Sequence, residues 1–162
     1  MLVTATEIQS PLYRLSQPDG RHSPNRSYAL KQLTNNMENY QPSRCPNAQE
    51  WLALDEFERV QLVREYHENA NEPLPEDTIE LHASIHVVVE NQIAMEFVPV
   101  PATIDRLIRQ GLDRHEAIHA VGAIVSTNMY DLMKGNETSW NQDQYRRKLK
   151  KLTAKRWKKG KW

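Results

Sequence analysis

"EDTIELHASIHVVVENQIAMEF", residues 76–97, decides the fold. Its centre, Val87-Val88-Val89, reads as a strand if taken alone. The apolar stretch is longer than a usual strand, however, and polar residues recur inside it at every fourth position: His82, His86 and Glu90. Four residues along an α-helix advance the face by only about 40°, so these three side chains form one gently drifting row. Ile85, Val89 and Ile93 fall in the same sector. The spacing predicts a helix capped by Asp77 or Thr78, with two histidines and a carboxylate on its inward face.

The segments on either side are helical as well. In "NAQEWLALDEFERVQLVREYHENA" (47–70), Trp51, Leu54, Phe57 and Leu62 mix with Val60 and Val63 at helical spacing, and glutamates crowd the early turns. This predicts one helix of about five turns, stopped by Pro73 and Pro75. "VPVPATIDRLIRQG" (98–111) predicts a short helix that starts after its prolines and ends at Gly111. "DRHEAIHAVGAIVSTNMYDLMKGN" (113–136) predicts another, from Asp113 to Gly135-Asn136. There is no internal repeat. The expected fold is all-α, a compact bundle of four or five helices. Residues 1–46 form a polar, largely irregular arm, with a helical piece within "YALKQLTNNMENY" (28–40), and residues 47–136 form the helical domain. Residues 137–162 form a basic tail, with a last helix through Tyr145, Leu149 and Leu152 on a thin apolar stripe.

Composition narrows the class. A chain of 162 residues, 39% apolar and 26% charged, fits one domain with a modest core. The single cysteine, Cys45, excludes an internal disulfide framework and a cysteine-based zinc site. No apolar run approaches the roughly 20 residues of a membrane-spanning helix. The N-terminus lacks the basic start and apolar stretch of a signal peptide. The expectation is a cytoplasmic protein. The formal net charge of zero conceals an asymmetry, because residues 141–162 hold ten of the 21 Lys/Arg and one of the 21 Asp/Glu. An acidic body carries a basic tail.

The later helix repeats the polar row of the earlier one. His115 and His119 are four apart, and Ile118, Gly122, Met129 and Met133 share their stripe. Ala120, Gly122 and Ala123 are small enough to admit a second helix closely. Burying histidine and glutamate costs several kcal/mol unless something satisfies them. A metal ion does so directly, since imidazole and carboxylate suit zinc, iron or manganese. The candidate ligands are His82, His86, Glu90, His115, Glu116 and His119, enough for one ion with an open position or for two ions. Glu116 has a competing role, because Asp113-x-x-Glu116 also has the spacing of a helix-capping box. His67 closes its helix, where a cationic imidazole is favourable by itself, and is read as such. His22 lies in the polar arm without a supporting pattern.

The phrases "LHASIHVVVENQIA" and "GLDRHEAIHAVG" resemble a family of small bacterial helical proteins of unknown function, over roughly residues 50–130. That resemblance implies a compact helical domain with a metal site and no assigned reaction. "HEAIH" (115–119) is also similar to the H-E-x-x-H phrase of zinc-dependent hydrolases. That likeness implies His115 and His119 as zinc ligands and Glu116 as the general base; the third ligand would come from His82, His86 or Glu90. The pairs His86-x3-Glu90 and His115-x3-His119 resemble those of hemerythrin-type di-iron bundles, although no His-plus-Asp pair follows on a last helix.

Three functions compete. The first is a metal-dependent enzyme, hydrolytic or oxidative, acting on a small molecule with Glu116 as catalytic base. The second is a non-catalytic, metal-stabilised or sensory protein that associates as a homo-oligomer. The third is a nucleic-acid-binding protein acting through the basic tail, whose cations interleave with Tyr145, Trp157 and Trp162. For the tail, the preferred reading is a solvated, flexible segment that folds back on the acidic body.

Overall fold

In the computed structural model, residues 37, 39–70, 74–135 and 139–162 are described, and they form a bundle of helices without strands. Seven helices follow in order among these residues: α1 (Ala48–Ala53), α2 (Glu56–Glu68), α3 (Glu76–Ala94), α4 (Val100–Arg109), α5 (Arg114–Met133), α6 (Gln142–Lys151) and α7 (Ala154–Trp157). The all-α expectation holds. None of these helices is long and apolar enough to cross a membrane. His22 and most of residues 28–40 lie outside the described residues.

The count exceeds five for two local reasons. The helix expected over 47–70 is broken at Leu54-Asp55, where Leu54 is extended and Asp55 starts a new helix. Asp55 Oδ1 accepts from the Glu58 amide at 2.7 Å, and Glu58 Oε2 accepts from the Asp55 amide at 2.9 Å. This reciprocal cap satisfies groups that a continuous helix would pair internally, and it turns the chain. The second reason is the C-terminal segment, which is folded. Tyr145, Leu149 and Leu152 are all buried in the core, so the thin stripe suffices. Arg106 donates to the carbonyl oxygens of Leu149 and Leu152, both at 2.8 Å, and so closes the end of α6. Trp157 packs on the core and lies against Trp162, with ring centroids 5.2 Å apart.

Two further expectations shift. α3 begins at Glu76 after Pro75, and neither Asp77 nor Thr78 caps it; the Thr78 hydroxyl donates instead to the Pro75 carbonyl at 3.0 Å. Burial along α5 stops at Asn128, leaving Met129 and Met133 exposed. At 20 residues α5 is about 30 Å long, and its last turn carries no buried residue.

α3 is the central element. One apolar cluster unites Val89 of α3 with Val100, Ile104 and Leu107 of α4, Ile118, Val121 and Ile124 of α5, and the C-terminal helices. A second joins Ala83 and Val87 of α3 to Tyr40, Trp51, Val60 and Val63. α1 and α2 pack chiefly on α3, and α4 and α6 on α5. α3 and α5 approach closely at Gly122, where an added Cβ would lie 2.7 Å from Ile85 Cγ2. Only glycine permits that spacing.

Candidate metal centre

Five histidines converge where α2, α3 and α5 meet. His67, His82, His86, His115 and His119 each offer one ring nitrogen, and all five nitrogens lie within 4.8 Å of one another. Ring centroids approach to 4.3 Å for His115 and His119 and to 4.5 Å for His67 and His82. The helix repeat explains the two pairs, since residues four apart stack on one face. His67 arrives from the last turn of α2, continuing the buried stripe of Val60 and Val63.

The electrostatics are those of neutral imidazoles. Burial pushes the His67 pKa down to about 4, and neighbouring His82 and His115 lower it further. Burial likewise takes His119 down to about 3, reinforced by His115, His82 and His67. His82, His115 and above all His86 are lowered too, again mainly by burial. The Nε2 atom of every one of the five is buried without a hydrogen-bond partner. An orphaned buried polar atom costs about 1–3 kcal/mol, so five in one place call for a shared partner.

A metal ion of ordinary size could be that partner. Nitrogens about 2.1 Å from a metal ion can be no more than about 4.2 Å apart across it. The five nitrogens, within 4.8 Å of one another, need shifts of only tenths of an ångström to reach a single ion. The donor set is chemically uniform: five imidazoles and no carboxylate.

The carboxylates expected as ligands are placed elsewhere. Glu90 is 1% exposed, but both its oxygens are taken. Arg114 Nη1 donates to Oε1 at 2.8 Å and Nη2 to Oε2 at 2.7 Å, and the Tyr40 hydroxyl donates to Oε1 at 2.8 Å. Arg114 Nη1 also donates to the Pro42 carbonyl at 2.9 Å, tying down the chain before α1. Glu116 sits half-buried in the first turn of α5, outside the converging group. Its amide donates to Asp113 Oδ1 at 2.8 Å, which is the Asp113 half of the expected capping box; the Glu116 carboxylate makes no return bond to the Asp113 amide.

Glu90 nevertheless acts on the cluster through Tyr40. The Tyr40 oxygen lies 3.3 Å from His86 Nδ1. Its single hydrogen goes to Glu90, so the hydroxyl oxygen must accept from His86 Nδ1–H. This fixes the tautomer that leaves His86 Nε2 as a bare lone pair, the form a metal ligand requires. Tyr66 covers the other side, with its ring edge-on to His67 and His115 at 5.1 and 5.7 Å.

The sequence thus pointed to four of the five histidines. It missed His67, which was assigned to a cationic helix end; burial keeps that ring neutral. The available signal was the 60-63-67 spacing, which places His67 on the apolar stripe. It also missed Tyr40 and Arg114, whose roles depend on contacts distant in sequence. A cleft of about 320 Å³ between α3 and α5 leads from the surface to His82, His86 and His119. No protein-family model matches the chain, and neither a curated protein nor a solved structure matches it significantly.

Proposed function

We propose that this protein is a metalloprotein that holds one divalent transition-metal ion on His67, His82, His86, His115 and His119, and that the ion is an accessible, catalytic centre. The observation that carries the reading is the set of five unpartnered Nε2 atoms on rings whose nitrogens converge within 4.8 Å. Five neutral nitrogens suit iron or zinc better than manganese, which favours oxygen donors. They exceed the four donors of a closed tetrahedral zinc site, which favours iron(II) with its sixth position free to exchange. The cleft reaching three of the rings supports access by a small molecule, and this separates a catalytic site from a purely structural one.

The chemistry on offer is that of the ion itself, which polarises a bound group as a Lewis acid. The reading of Glu116 as general base finds no support in the geometry. The protein's own contribution is to hold the ring nitrogens neutral, to fix the His86 tautomer through Tyr40 and Glu90, and to surround the ion with apolar walls. Membership of the bacterial helical family that the two histidine phrases resemble is compatible with this reading.

Elemental analysis of protein purified without a polyhistidine tag tests it. The expected result is about one transition-metal ion per chain, with chelation at neutral pH lowering the melting temperature. Metal-free protein whose melting curve ignores both chelator and added iron or zinc would overturn it.

A further inference from the structure

We propose that the cleft between α3 and α5 binds a small molecule with an uncharged, apolar body and one donor atom that reaches the histidine floor; this rests on the metal reading above. The walls are Leu81, Ile85, Ile118 and Ala123, and the floor is formed by His82, His86 and His119. No lysine, arginine, aspartate or glutamate lines it. The two hydroxyls present are already committed. Thr78 donates to the Pro75 carbonyl and Ser126 to the Gly122 carbonyl, each at 3.0 Å. A hydroxyl has one hydrogen, so neither can donate to a phosphate or carboxylate on the ligand's body. A charged group there would lose its water and gain nothing, a cost that excludes charged bodies.

Volume sets the size. About 320 Å³ holds roughly ten non-hydrogen atoms at about 30 Å³ each. Small residues line part of this room. Gly122 lets α5 come against Ile85, and Ala123 leaves the space beside it open. Binding is therefore selective for alkyl or aryl compounds of modest length, with the polar end at the histidines.

The test uses the full chain loaded with cobalt(II), whose visible spectrum responds to a change of ligand, and 1-alkylimidazoles from methyl to pentyl as probes. Affinity is expected to rise about fourfold per added methylene, the value of burying one CH₂. A probe of equal length ending in a carboxylate should bind no better than the methyl compound. Leu81→Glu, at a rim position that is 65% exposed and so without consequence for folding, should weaken the pentyl probe at least tenfold and leave the cobalt spectrum unchanged. Ala123→Phe should flatten the chain-length dependence. A flat series in the unaltered protein, equal binding of the carboxylate probe, or no response to any probe would overturn the cleft assignment while cobalt binding stands. Failure to bind cobalt at all would overturn the metal reading with it.

Discussion

Tyr40 accepts a hydrogen bond from His86 Nδ1 at 3.3 Å, because its own hydrogen is given to Glu90. A residue ahead of the first described helix thereby sets the protonation of a ring deep in the bundle. Removing the hydroxyl frees His86 to adopt the other tautomer. Tyr40→Phe should keep the helical fold and lower metal affinity about 10–100-fold, the usual effect of losing an outer hydrogen bond to a ligand. Competition with a chromophoric chelator measures this, and unchanged affinity would remove Tyr40 from the relay.

The Glu90–Arg114 pair makes a stability prediction. Glu90 is 1% exposed, so its charge depends on the guanidinium. Arg114→Leu strands that charge and should cost about 3–5 kcal/mol. The double variant Glu90→Gln, Arg114→Leu should recover part of the loss, since the neutral amide can still accept from Tyr40. Urea unfolding of the two proteins reads out the difference; if the double variant is the weaker of the two, the stranded-charge account is wrong.

His67 and Glu116 separate the proposed ligand set from the one expected from sequence. His67→Ala should reduce metal content as severely as His86→Ala, with the helical circular dichroism retained. Glu116→Gln should leave metal content unchanged and alter stability by no more than about 0.5 kcal/mol, the range of changes away from special features. Loss of metal from the Glu116 variant, or full retention in the His67 variant, would redraw the ligand set.

The pH dependence follows from the lowered histidine pKa values. In the metal-free fold His67 titrates at about 4 and His119 at about 3, against an ordinary value of 6.5. Below about pH 6.5 the unfolded chain therefore binds more protons than the folded one. Stability is full above that pH and falls as pH drops from about 6.5 towards 3. Over the upper part of this window His67 and His119 are already neutral in the fold, and burial lowers the other three rings as well, so metal binding displaces few protons. Zinc added to folded metal-free protein at about pH 6.5 should release less than one proton per ion. Release of several protons, followed with an indicator dye, would show that the rings are charged before the metal arrives.

Much of the site was legible because helices convert spacing into geometry. His82 with His86, and His115 with His119, could be paired from a four-residue interval, and apolar neighbours showed which way they faced. The same logic misread Glu90, because a shared stripe does not reveal that Arg114 will meet it from another helix. His67 was obscured by a valid alternative, the favourable charge at a helix end, which burial overrides. The break at Leu54-Asp55 was obscured by apolar periodicity that continued across it. Tyr145, Leu149 and Leu152 looked too sparse among cations, yet an amphipathic helix docked on a formed core needs few anchors.

The two apolar clusters on either side of α3 give the histidines a mechanical meaning. α1 and α2, the N-terminal layer, rest chiefly on α3, through the second cluster, which among the described residues has fewer buried members than the one that binds α3, α4 and α5. His67 carries that layer's end of the cluster, and an ion shared with His115 and His119 would rivet it to α5 across the seam. Withdrawing the ion should then loosen the molecule unevenly. Amide hydrogens of residues 56–68 should exchange through a partial opening well before those of α4 and α5, so that metal occupancy decides whether the protein comes apart as one unit or peels from its N-terminal side.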